Sequence, residues 1–224
     1  MNYYSEKTVK TVLFDLDGTL LDTSEGCIES VIKASSQIGI GPLSVEIARK
    51  FIGPPIHQSF MKYCGCSLEL AQHGADVFRD YYKTKALFKA CLYSGMIETL
   101  QMLKEADIKI GVATYKREDY AISILEHFGI APFCMSMHGA DNNNLLSKAD
   151  IINLCIEEMT DDRDSAVLIG DTEHDALGAK TANISFIGVT YGFGFKSKED
   201  VNQYPNIGCA NSTFDILNYV IKKK

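Results

Sequence analysis

Short apolar runs recur along the chain, and several stop at a polar or glycine-bearing turn. Residues 9–14 (VKTVLF) run into Asp15, and residues 108–113 (IKIGVA) run into Thr114. Residues 166–169 (AVLI) run into Gly170 and Asp171, and residues 184–189 (ISFIGV) precede Thr190-Tyr191-Gly192. These runs predict strands, and residues 133–137 predict a less regular one. Between them apolar residues fall at helical spacing: 96, 97, 100 and 103; 121, 124, 125 and 128; 151, 152, 155, 156 and 159; 214, 216, 217, 220 and 221. Strands alternating with helices predict an α/β fold with a parallel sheet wound on both faces.

Residues 23–92 break that rhythm. Helical patterns cover 25–37 and 68–85, with Gly53-Pro54-Pro55 as a break between shorter pieces. A stretch of about 70 residues between two successive strands exceeds a normal crossover. Residues 23–92 therefore read as an inserted α-helical subdomain, and residues 1–22 with 93–224 as the core. Tyr93-Ser94-Gly95 would be the hinge at which the chain returns.

Composition narrows the function classes. Of 224 residues, 46% are hydrophobic and 23% charged, which suits a packed core rather than disorder. The net charge of −7 argues against a nucleic-acid polymer as partner. The basic run 222–224 reads as a solvated chain end. No run of apolar residues is long enough to span a membrane, and residues 1–10 lack the apolar core of a signal peptide, so a cytoplasmic location is expected. Seven scattered cysteines do not look like a disulfide framework, and Cys64-Gly65-Cys66 has no second ligand pair to make a metal site. Reduced thiols are expected.

Ligands of open α/β sheets bind beyond the carboxyl ends of the strands. The residues there are Asp15, Asp17, Thr114 and Asp171, with Lys148 opening a helix. Asp15 and Asp17, two apart in an extended chain, can address one site, and Gly18 permits a tight turn with close backbone approach. Two close carboxylates repel, which suits a divalent metal or a nucleophile paired with an acid. Asp171 and Asp175 add carboxylates, and Mg²⁺ needs only one or two more. Thr114, at a strand end before a helix, could bond a phosphate oxygen with help from the helix amides. Lys148 would act as a point charge on phosphate and on the attacking carboxylate. His174 reads as a surface or helix-end residue. Arg49 and Lys50 could reach a substrate anion, but read first as surface residues.

Together these residues resemble the haloacid dehalogenase superfamily of phosphatases, across essentially the whole chain. Asp15-Leu16-Asp17-Gly18-Thr19-Leu20 is similar to its first motif, Thr114 to its second, Lys148 to its third, and Gly170-Asp171 through Asp175 to its fourth. The early helical insertion resembles the cap of the phosphoglycolate phosphatase-like branch. Phe51-Ile52-Gly53-Pro54-Pro55, His127-Phe128-Gly129, Lys148-Ala149-Asp150, Gly178-Ala179-Lys180 and Tyr191-Gly192-Phe193-Gly194 extend that resemblance. The stretch Gly139-Ala140-Asp141-Asn142-Asn143-Asn144 departs from it by lacking an Asp-Gly pair.

The resemblance implies a Rossmann-like core and an aspartyl-phosphate mechanism. Asp15 would attack phosphorus, and Asp17 would protonate the leaving oxygen and then activate water. Mg²⁺ would be held by Asp15, the backbone carbonyl of Asp17, and Asp171. Thr114, the Tyr115 amide and Lys148 would hold phosphoryl oxygens, and Asp175 would position Lys148 or a metal-bound water. The substrate would be a small phosphorylated metabolite; phosphoglycolate, a nucleoside monophosphate and pyrophosphate are all compatible. Dehalogenases lack the second carboxylate, so Asp17 argues against dehalogenation. A sugar phosphomutase sharing every core residue is the alternative, and a non-enzymatic magnesium- or phosphate-binding module is the third reading.

Overall fold

The computed structural model describes residues 8–53, 55–141, 145–159 and 162–221. Pro54 of the predicted break, Asn142, Asn143 and Asn144 of the divergent loop, the basic run 222–224 and most of the N-terminal segment lie outside the described residues. The chain divides into two compact units, Met1–Leu21 with Leu92–Lys224, and Asp22–Cys91.

In chain order the strands are β1 (Thr11–Phe14), β2 (Leu21–Asp22), β3 (Cys91–Leu92), β4 (Lys109–Arg117), β5 (Cys134–Ala140), β6 (Ala166–Gly170), β7 (Ser185–Val189) and β8 (Gly208–Ala210). Six of them form one sheet in the order β5-β4-β1-β6-β7-β8, and every neighbouring pair is parallel. β2 and β3 pair separately. From β1 the chain steps outward to β4 and β5, then returns to β6 on the other side of β1. This is the Rossmann-like order, and its reversal opens a crevice beyond the carboxyl ends of β1 and β6.

The helices are α1 (Ser24–Gln37), α2 (Val45–Arg49), α3 (Ile56–Cys64), α4 (Leu68–Tyr81), α5 (Met96–Glu105), α6 (Glu118–His127), α7 (Lys148–Met159), α8 (Glu173–Thr181), α9 (Lys198–Val201) and α10 (Leu217–Val220). One sheet face is covered by α7 and α8. Leu13 and Leu168 pack there against Ile151, Ile152, Cys155, Ile156, Met159 and Ala179 in one buried cluster. Strand alternation turns Val12 and Phe14 to the opposite face, where both are fully buried.

The smaller unit is helical. α3 ends where Gly65 takes a left-handed φ of 66°, and the Ser67 hydroxyl then caps α4 by accepting from the Leu70 amide at 3.2 Å. Gly26 of α1 donates its amide to the Lys89 carbonyl, and a side chain there would run into the Ala86 carbonyl. Arg49 and Lys50 are exposed, and the Lys50 ammonium lies 6.0 Å from the Tyr63 ring centre. Among the described residues no helix is long and apolar enough to cross a membrane. All seven cysteines are free thiols.

The structure departs from the sequence expectations in four places. The helix expected over 68–85 becomes α4 followed by a π-helical turn, Tyr82–Ala86. The helix expected at the C-terminal end opens as a 3₁₀ turn, Phe214–Ile216, tightened by amide bonds from Asp215 to Ser212 and from Ile216 to Thr213. β8 was not anticipated, because three residues, Gly-Cys-Ala, carry no periodicity. β4 continues past Thr114 to Arg117, with an irregularity in its pairing to β5 after Ala113. Thr114 therefore sits within the strand, and α6 starts only at Glu118 rather than directly behind the threonine.

Candidate active site

The residues singled out by the sequence gather at the sheet reversal. Phe14 pairs with Val112 on one side and Ile169 on the other, and the Asp15 amide donates to the Ile169 carbonyl at 2.9 Å. Asp15 therefore leaves the sheet between β4, which carries Thr114, and the end of β6, which runs into Asp171. Gly18 takes a φ of +84° and donates to the Leu21 carbonyl at 2.8 Å, folding the Asp15–Thr19 segment into a tight turn. A Cβ at Gly18 would collide with the Asp171 carboxylate, so glycine is also what lets the two loops touch.

Lys148 is the hub. It is the first residue of α7, and Ser147 and Asp150 cap that helix reciprocally. Its ammonium lies 2.7 Å from Asp15 Oδ1 and 2.7 Å from Asp175 Oδ1, with all three side chains buried. Its amide donates to the Tyr115 hydroxyl at 2.8 Å. Gly178 of α8 makes room for the lysine stem, because a Cβ there would stand 2.5 Å from Lys148 Cγ. Asp175 serves two partners. Its Oδ2 accepts from the Thr172 amide and hydroxyl at 3.0 and 2.6 Å, closing the capping box of α8, while Oδ1 holds the lysine. Gly170 leaves space for that carboxylate to fold back toward β6.

Ligand oxygens of Asp15, Asp171 and Asp175 all lie within 4.8 Å of one another. The electrostatics of this group call for a cation. Burial pushes Asp15 up to about 7; Lys148 opposes this, while Asp175 and Asp171 add to it. Burial, then the Asp175 charge, pushes Asp171 up to about 6 against the pull of the Gly194 and Phe193 amides. For Lys148, burial alone would favour loss of the proton, but Asp15 and Asp175 reverse that and hold it above the ordinary lysine range. One ammonium thus pairs with two of three clustered buried carboxylates. An all-oxygen donor set with residual negative charge fits a hard divalent ion such as Mg²⁺.

Asp17 is placed differently. Its carboxylate is ion-paired through both oxygens to Lys116, at 2.9 and 3.0 Å, and its side chain is one-quarter exposed. Thr114 is buried, and its hydroxyl accepts from the Lys116 amide at 3.1 Å. Tyr115 is exposed, with its ring 6.0 Å from that of His174, which lies on the surface as expected. Lys148 thus pairs directly with Asp15 and Asp175, an Asp171 carboxylate oxygen lies within 4.8 Å of theirs, and Thr114, Tyr115 and Asp17 are linked through Lys116 and the Lys148 amide.

Sequence reasoning missed three contributors. Lys116 gave no signal, being one polar residue at the end of an apolar run. Thr19 is fully buried, and its hydroxyl lies 3.4 Å from Asp171 Oδ1. The Phe193 and Gly194 amides donate to Asp171 Oδ2 at 2.6 and 3.0 Å. Only the Gly192 and Gly194 pair could have hinted at that close approach.

Comparison with known proteins identifies the family. The family model described as haloacid dehalogenase-like hydrolase matches residues 12–189. The chain is 31% identical over 201 residues to a 5'-nucleotidase of Pseudomonas aeruginosa, covering 89% of this chain and 90% of that protein. It is 31% identical over 184 residues to tyrosine-protein kinase PtkA of Mycobacterium tuberculosis, covering 82% of this chain and 62% of that protein. A phosphoglycolate phosphatase of Vibrio parahaemolyticus is 28% identical over 198 residues, covering 84% of this chain and 87% of its own. A solved structure from Clostridium acetobutylicum, described as a predicted phosphatase, superposes with a TM-score of 0.86 at 35% identity, covering 96% of this chain and 99% of its own. The chain belongs to the haloacid dehalogenase-like hydrolase family, in its phosphoglycolate phosphatase-like branch, and is a phosphoric monoester hydrolase.

Proposed function

We propose that the protein is a Mg²⁺-dependent phosphatase that hydrolyses a small phosphorylated metabolite through a phosphoryl group carried on Asp15. The observation that carries this reading is the buried Lys148 ammonium held 2.7 Å from both Asp15 and Asp175. Lys148 keeps one Asp15 oxygen occupied, which orients the carboxylate and leaves its other oxygen as the nucleophile.

The reaction then has two halves. Asp15 forms a bond to phosphorus as the ester oxygen leaves, and Asp17, entering this step in its protonated form, gives that oxygen its proton. In the second half Asp17 takes a proton from water, which attacks the same phosphorus and returns Asp15 as a free carboxylate. Thr114, the Tyr115 amide and Lys148 bind the phosphoryl oxygens throughout. Asp15, the Asp17 carbonyl and Asp171 would hold Mg²⁺, which supplies positive charge against the phosphoryl group. Asp175 positions Lys148. The helical unit, residues 22–91, corresponds in this reading to the cap of the phosphoglycolate phosphatase-like branch.

The relatives carry different substrate names, so the substrate is proposed only as a small phosphorylated metabolite. A panel of phosphorylated metabolites, scored for phosphate release with Mg²⁺ and with a chelator, tests this. Release is expected on at least one member, to vanish with the chelator, and to vanish in Asp15→Asn. Near-normal release by Asp15→Asn would refute the nucleophile, and a sugar 1-phosphate converted to its isomer without free phosphate would favour a mutase.

A further inference from the structure

The Tyr191-Gly192-Phe193-Gly194 segment follows β7 and supplies no reacting group, yet it touches both loops that carry the metal-binding carboxylates. We infer that this segment is a backbone clamp that fixes Asp171 against the Asp15–Thr19 turn and so sets the affinity for the divalent ion. The inference rests on the metal site proposed above.

Three backbone amides converge on one residue. The amides of Phe193 and Gly194 donate to Asp171 Oδ2 at 2.6 and 3.0 Å, and the amide of Phe195 donates to the Asp171 carbonyl at 2.7 Å. Oδ2 is thereby saturated with donors. Oδ1 keeps only the long 3.4 Å approach of the Thr19 hydroxyl. Asp171 is thus oriented to offer Oδ1 to a cation and to keep Oδ2 for the loop.

The same segment braces the first loop. The Tyr191 hydroxyl donates to the Thr19 carbonyl at 3.1 Å, and its ring packs 4.7 Å from that of Tyr93. Gly192 lies against the Gly18 carbonyl and the Asp171 side chain so closely that a Cβ there would stand 2.6 Å from Asp171 Oδ2. A Cβ at Gly194 would run into the Asp171 carbonyl. These two glycines are fixed by packing on the aspartate rather than by turn geometry, since neither has a positive φ. Partners that orient a metal-binding carboxylate typically change metal affinity by about 10- to 100-fold when altered.

Calorimetric titration of Mg²⁺ into metal-free protein tests this without any substrate. The wild type is expected to bind Mg²⁺; absence of binding would remove the metal reading itself, and the clamp with it. Given binding, Gly192→Ala with an unchanged circular dichroism spectrum is expected to raise the Kd at least about tenfold. Tyr191→Phe, which deletes one hydroxyl and adds no bulk, is expected to raise it about threefold, a smaller share of the same effect. If Gly192→Ala does not fold, Tyr191→Phe decides alone. Wild-type Mg²⁺ affinity in the folded variants, even with a lowered denaturation midpoint, would overturn the inference and leave the segment a purely structural role.

Discussion

Lys116 binds both carboxylate oxygens of Asp17, at 2.9 and 3.0 Å, and so fixes the one site carboxylate that lies outside the Asp15–Asp171–Asp175 cluster. A proton donor must be aimed at the leaving oxygen, and a displacement of about 1 Å can cost about 100-fold in rate. Lys116→Met is expected to slow hydrolysis of alkyl phosphates by about 10- to 100-fold. p-Nitrophenyl phosphate, whose leaving group needs no proton, should lose much less, and Lys116→Arg should retain more than Lys116→Met on both. Equal losses on the two kinds of ester would show that the pair acts elsewhere than in leaving-group protonation.

The Lys148 ammonium is the only cationic side chain within hydrogen-bond reach of Asp15 or Asp175 among the described residues. Removing one partner of a buried pair leaves uncompensated charge and costs about 3 to 5 kcal/mol. Lys148→Met is expected to lower the thermal midpoint and to cut phosphate release by about 100-fold or more. Saturating Mg²⁺ should recover part of the stability, because positive charge returns to the cluster, but not the rate. Thermal scans with and without Mg²⁺ alongside turnover assays check both halves. An unchanged midpoint would contradict the burial argument.

Much of this site was legible from the chain, and the reason is positional. Asp15, Thr114 and Asp171 each follow an apolar run, and a parallel sheet gathers such positions at one rim. The sheet order and the carboxylate cluster accord with that reasoning. What escaped it had no side-chain signature. The Phe193 and Gly194 amides are backbone donors that any residues could provide. Lys116 became visible only once β4 was seen to run on to Arg117, which brings the lysine to Asp17 across 99 positions of sequence. Gly170 and Gly178 entered the sequence reading only through the motifs that contain them, and the space they clear for Asp175 and Lys148 needs the folded chain to be seen.

The raised carboxylates make a statement about pH. Burial holds Asp15 near about 7 and Asp171 near about 6, against the ordinary value of 3.8 for both. Between about pH 4 and about pH 7 the metal-free folded state therefore binds more protons than the unfolded chain, so its stability falls as pH rises through that window. Mg²⁺ bound as proposed would compete with those protons and offset the charge they leave behind. The increase in thermal midpoint on adding Mg²⁺ is expected to be small near pH 5 and large near pH 8. Scanning calorimetry at the two pH values, each with chelator and with saturating Mg²⁺, reads this directly. An equal Mg²⁺ increment at both would contradict the assignment of the metal to these groups.

The central claim is that phosphorus is bonded to Asp15 during turnover. Rapid acid quench of the enzyme hydrolysing its best substrate with Mg²⁺, followed by peptide mass spectrometry, addresses that bond itself. The account predicts one phosphoryl adduct on the peptide containing Asp15, localised to that residue and missing from Asp15→Asn. An adduct on another residue, or an Asp15→Asn enzyme that releases phosphate at the wild-type rate, would contradict it.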